Sequence, residues 1–131
     1  MTIKKILAVL LCVAMLAVSF AGCGNDPAPK GDDEYEIAVV VKILGIPFFN
    51  VLEEGVKEAA EDLGVNAYVT GPTDADPAQQ VKIIEDLINT GVDAIVVVPN
   101  DATAVEAVLD RAREKGILVI ANESPNQAGA D

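Results

Sequence analysis

Three short groups of polar and aromatic side chains follow runs of apolar residues. Lys42 comes after Val39-Val40-Val41 and leads toward Phe48, Phe49 and Asn50. Asn100 and Asp101 come after Val96-Val97-Val98-Pro99, and Asn122 and Glu123 after Leu118-Val119-Ile120-Ala121. The amides and carboxylates can exchange hydrogen bonds with hydroxyls. Lys42 can donate to a hydroxyl or carbonyl, and a phenylalanine ring can lie against the C–H face of a sugar ring. A few fixed polar groups beside an aromatic wall make a small-ligand site, here one suited to a polyol. Buried polar groups that only the right ligand satisfies also give selectivity.

Each residue has a plain structural alternative. Phe48 or Phe49 can staple onto the helix that follows, Lys42 can snorkel to solvent, and Asn100 or Asp101 can be only a helix N-cap. Glu123 can be an exposed loop carboxylate. Asp74 and Asp76 read as turn and cap residues. Joint placement, rather than any single residue, favours a site.

Other chemistries are poorly provided for. The chain has no histidine, and its two cysteines are Cys12 and Cys23. This removes His-based triads, most zinc sites and the commonest general base. No Gly-rich phosphate loop follows the first apolar run. Neither a metal nor a cofactor is expected, and the chain reads as a non-enzyme. The formal net charge is −12. Beyond Lys4 and Lys5, seven basic side chains stand against 21 acidic ones. Such a surface repels a nucleic-acid backbone.

The elements that must position these groups alternate in type. "YEIAVVV", "VNAYVT", "DAIVVV" and "ILVIA" read as strands. "FNVLEEGVKEAAEDLG" reads as a helix with Val51, Leu52, Val56, Ala59, Ala60 and Leu63 inward and Gly64 as C-terminal cap. "DPAQQVKIIEDLINTG" reads as a second, with Asp76 as N-cap, Pro77 in the first turn, Val81, Ile84, Leu87 and Ile88 inward and Gly91 at its end. "DATAVEAVLDRAREKG" reads as a third, with Ala104, Val105, Val108, Leu109 and Ala112 inward and Gly116 as cap. This βαβαβαβ order predicts an α/β fold, a doubly wound parallel sheet with strands buried on both faces. Ligands in such sheets bind beyond the carboxyl ends of the strands, where strand order reverses. All three polar groups fall on that edge.

The N-terminus reads as a secretion signal over 1–22: a basic start at Lys4 and Lys5, then an almost wholly apolar Ile6 to Phe20, too short for a comfortable span. Ser19-Phe20-Ala21-Gly22-Cys23 resembles a bacterial lipoprotein signal, with Phe20 in place of the usual Leu. The resemblance implies lipidation of Cys23 and anchoring outside the cytoplasmic membrane, in the periplasm or at the cell surface. An ordinary signal peptide with an incidental cysteine is the alternative. Residues 23–34 read as a flexible tether, and 35–131 as the folded part.

The folded part resembles the N-terminal lobe of periplasmic-type sugar-binding proteins of the ribose-binding class, most of all the rhamnose- and autoinducer-2-binding branch. The residues are "VVVKILGIPFFNVLEEGVKEAAEDLGV", "GPTDADPAQQVKIIEDLINTGVDAIVVVPND" and "RAREKGILVIANESP". The resemblance implies a class I lobe and a solute receptor that delivers a sugar-like ligand to an ABC permease. It carries ligand contacts onto Lys42, Phe48, Phe49, Asn100, Asp101 and Glu123. Where that branch usually has Asp-Ser-Asp, this chain has Asn122-Glu123-Ser124. The family clamps its ligand between two lobes, so a chain of 131 residues reads as an incomplete one. A ligand-presenting receptor for a membrane sensor kinase is the competing function. A DNA-binding regulator is disfavoured, because a secretion signal occupies the place of its helix-turn-helix.

Overall fold

The computed structural model describes residues 35–124. Four strands alternate with three helices: β1 (Glu36–Val40), α1 (Pro47–Leu63), β2 (Asn66–Thr70), α2 (Pro77–Thr90), β3 (Ala94–Val97), α3 (Ala102–Glu114) and β4 (Leu118–Ala121). The strands are parallel in the order β2-β1-β3-β4. β1 therefore pairs with β2 on one side and β3 on the other. The order reverses between β1 and β3, where the sequence reading put the ligand edge.

Helix ends follow local chemistry. Asp76 accepts from the Ala78 N–H at the start of α2, and Gly91 closes that helix with φ +81°. Gly64 closes α1 in the same left-handed conformation, φ +66°, which costs glycine little because it lacks a Cβ.

Side chains alternate across the strands and build two unequal cores. Ala38, Val40, Ile95, Val97 and Val119 pack against Ile84, Leu87 and Ile88 of α2 and Val105, Val108, Leu109 and Ala112 of α3. The opposite face has a smaller cluster, in which Val41 and Val98 meet Phe49 of α1. Two helices cover one face and one covers the other.

This asymmetry corrects the expectation of strands buried on both faces. Along β4, Val119 is buried while Leu118 and Ile120 are exposed. It also corrects the α1 stripe. Phe49 and Ala60 are buried and Leu52 and Val56 half-buried, but Val51, Ala59 and Leu63 are exposed. Ala104, expected inward on α3, is likewise exposed.

Candidate functional site

At the carboxyl edge the chain leaves β1 toward one face of the sheet and β3 toward the other. The strands stay knit almost to their ends: Val98 N–H donates to Val40 O (2.8 Å), Val41 N–H to Thr70 O (2.9 Å) and Asn122 N–H to Val97 O (2.9 Å). Beyond that point the main chains of β1 and β3 diverge. The carbonyls of Val41 and Val98 would then lack partners, and buried unpaired carbonyls are costly.

A side chain absent from the sequence reading resolves this. Gln80 of α2 is fully buried. Its Nε2 donates to Val41 O (3.1 Å) and Val98 O (3.0 Å), and its Oε1 accepts from Asn100 N–H (2.8 Å). Two carbonyls and one N–H as partners fix which way the amide points. The signal was available: Gln80 lies four residues before Ile84 and seven before Leu87, on the stripe that faces the sheet. A glutamine there must meet polar backbone.

Asn100 carries the connection onward. Its Nδ2 donates to the Lys42 carbonyl at 2.9 Å. The Lys42 ammonium in turn lies 3.6 Å from Glu123 Oε2, with the two side chains 38% and 45% exposed. Half-exposed ion pairs are worth at most about 1 kcal/mol, so either group can change partner at little cost. Glu123 adopts φ +55°, a region a non-glycine residue seldom occupies. Three loops thus meet across the switch point, bringing together Lys42, Asn100 and Glu123 as the sequence pattern suggested.

The other candidates divide. The two phenylalanine rings make an edge-to-face pair, with centroids 5.1 Å apart and planes at 76°. Phe49 is 5% exposed and belongs to the core; Phe48 is 63% exposed. The staple reading therefore describes Phe49, and Phe48 is the ring with a face open to a ligand. Asp101 caps α3 by accepting from Ala104 N–H at 2.9 Å. Asn50 and Asn122 are exposed, and the main-chain N–H of Asn50 is taken up by Ile46 O. The start of α1 has no side-chain cap, so first-turn N–H groups are left for water or a ligand oxygen. Cys23 lies outside the described residues.

Hollows also occur away from this edge. One of about 260 Å³ is lined by Glu85, Ile88, Asn89, Arg111 and Lys115. Another of about 310 Å³ is lined by residues including Glu36, Tyr68 and Thr90. Neither contains a member of the switch-point group. In the first, Arg111 is already paired with Glu85.

Residues 37–131 match the periplasmic binding protein domain. The ribose import binding protein of Bacillus subtilis is 26% identical over 133 residues, an alignment that takes in 96% of this chain and 43% of that protein. A solute binding protein from Burkholderia graminis, solved in complex with D-arabinose, superposes with a TM-score of 0.69 at 36% identity, over 76% of this chain and 35% of that one. LsrB from Clostridium saccharobutylicum in complex with AI-2 gives 0.64 at 27% identity, over 66% and 26%. The chain thus spans less than half the length of these relatives. It belongs to the periplasmic binding protein domain family.

Proposed function

We propose that, as a member of this family, the chain supplies the ligand-binding lobe of a solute receptor that captures a sugar or sugar-like molecule and hands it to the permease of an ABC importer. The observation that carries this reading is the convergence of Lys42, Asn100 and Glu123 at the β1/β3 switch point. Lys42 and Asn100 supply donors, Glu123 an acceptor, and Phe48 an exposed ring, the set a polyol needs. The relatives described above are a ribose import binding protein, a solute binding protein in complex with D-arabinose and LsrB in complex with AI-2. Lys42, just past β1, supports the rhamnose- and autoinducer-2-type branch, because the resemblance to that branch carries a ligand contact onto it. Lipidation at Cys23 would hold the receptor beside its permease.

The lobe forms one wall of such a site, and binding to one wall alone is weak, because capture energy in a clamshell comes from closure of two. Saturation-transfer NMR of the chain with D-ribose, D-arabinose and L-rhamnose reads this regime. At least one sugar should give a signal that Lys42→Ala and Asn100→Ala each reduce. Equal signals from the wild type and both variants would refute the assignment of these two residues.

A further inference from the structure

We propose that Gln80 is the positioning residue of the ligand edge, setting the spacing of the Lys42 and Asn100 loops across the switch point. The inference rests on the functional reading above and deepens it. It starts from an asymmetry between fold and need. Backbone pairing between β1 and β3 ends with Val98 N–H on Val40 O, before the residues that would meet a ligand. Past that bond, Gln80 joins the two strand ends from a third element.

Its three hydrogen bonds reach the end of β1, the end of β3 and the loop that carries Asn100. Gln80 is itself anchored. It sits in the first turn of α2, where its N–H donates to Asp76 O at 3.1 Å and Asp76 caps the helix. Asn100, fixed through its N–H, then holds Lys42 through that residue's carbonyl. Position therefore passes from α2 through Gln80 to Asn100, and from Asn100 to Lys42. The two bonds to the strand-end carbonyls are buried and the one from Asn100 N–H is part-buried, so water cannot readily replace the first two. The side chain does not reach the ligand; it decides where the groups that do are held.

Two substitutions separate this role from general support of the fold. Gln80→Leu keeps bulk and removes all three bonds. Gln80→Glu, when ionised, keeps an acceptor for Asn100 N–H but turns carboxylate oxygens toward two carbonyls; acidification restores one donor. Amide hydrogen exchange on the chain reads the loops without any ligand, and a ¹⁵N–¹H NMR titration with D-arabinose and D-ribose reads the site.

In Gln80→Leu, exchange at Asn100 should accelerate about tenfold, the scale of one lost hydrogen bond. The amides of Val41 and Val98, which are held by strand partners, should stay within about threefold of wild type. Sugar response at Lys42 and Asn100 should fall with the Asn100 change. In Gln80→Glu it should be weak where the carboxyl is ionised and recover as the pH is lowered through its titration, which burial against two carbonyls moves above the ordinary carboxylate range. Unchanged exchange at Asn100, an unchanged sugar response, or a uniform loss of protection across the sheet in both variants would each overturn the proposal. Should the wild type show no sugar response at all, the functional reading fails separately, and selective loosening at Asn100 still decides the role of Gln80.

Discussion

At Lys42 the sequence poses a charge where a buried strand ends, and the structure answers with Glu123 at 3.6 Å. The meeting of these residues was legible because each follows an apolar run in a parallel α/β order. The division between Phe48 and Phe49 was not. Adjacent helical residues differ by about 100° in direction, and only the packed structure shows which ring turns inward. Gln80 went unread for another reason: propensity and pattern register a polar residue on a stripe as an interruption, while its partners are backbone atoms of distant strands. A residue-scale prediction concerns Tyr68, whose hydroxyl donates to Glu36 Oε1 at 3.2 Å. Burial, then that hydrogen bond, then the Glu36 charge hold its phenol above the ordinary tyrosine value. Because the folded state favours the neutral phenol, the associated stability is present below about pH 10 and lost as pH rises through the folded pKa. An absorbance titration of Tyr35→Phe, which leaves Tyr68 as the remaining tyrosine, should show a midpoint above 10. A midpoint at or below 10 would contradict this.

The elements were nearly all visible. Apolar runs gave four strands, and Asp76, Gly64 and Gly91 stand at the helix ends they were expected to mark. The expected inward face of α1 failed because it assumed a covered helix. With one helix on that side of the sheet, α1 buries the line through Phe49, Leu52, Val56 and Ala60 and leaves Val51, Ala59 and Leu63 outside. At this scale Gly71, just past β2, is the informative position. A Cβ there would stand 2.8 Å from Val41 O and 3.0 Å from Val41 Cγ2. That oxygen is already held by Gln80, so the backbone has little room to yield. Gly71→Ala should cost about 1–3 kcal/mol, the usual range for overpacking, measured by urea unfolding. A change within a few tenths would show that β1 and β2 separate more easily than the contact implies.

Across the described residues as a whole, unequal coverage of the sheet is the main departure from the sequence reading. Parallel strands lie about 4.8 Å apart and a helix is about 10 Å wide, so one helix covers roughly two strands. α1 packs against β2, and on its side Leu118 and Ile120 of β4 are 51% and 37% exposed. Sequence periodicity cannot report this, since an apolar run looks the same whether or not a helix lies over it. Function depends instead on the carboxyl edge being where a sugar goes. The most direct measurement is a two-dimensional ¹⁵N–¹H NMR titration of the labelled chain with D-arabinose and D-ribose. Perturbed amides should cluster at Lys42, Phe48, Asn100 and Glu123, across the β1/β3 switch point. Perturbations gathered instead around Glu85, Asn89, Arg111 and Lys115 would move the site to the hollow beside α2 and α3 and contradict the central claim.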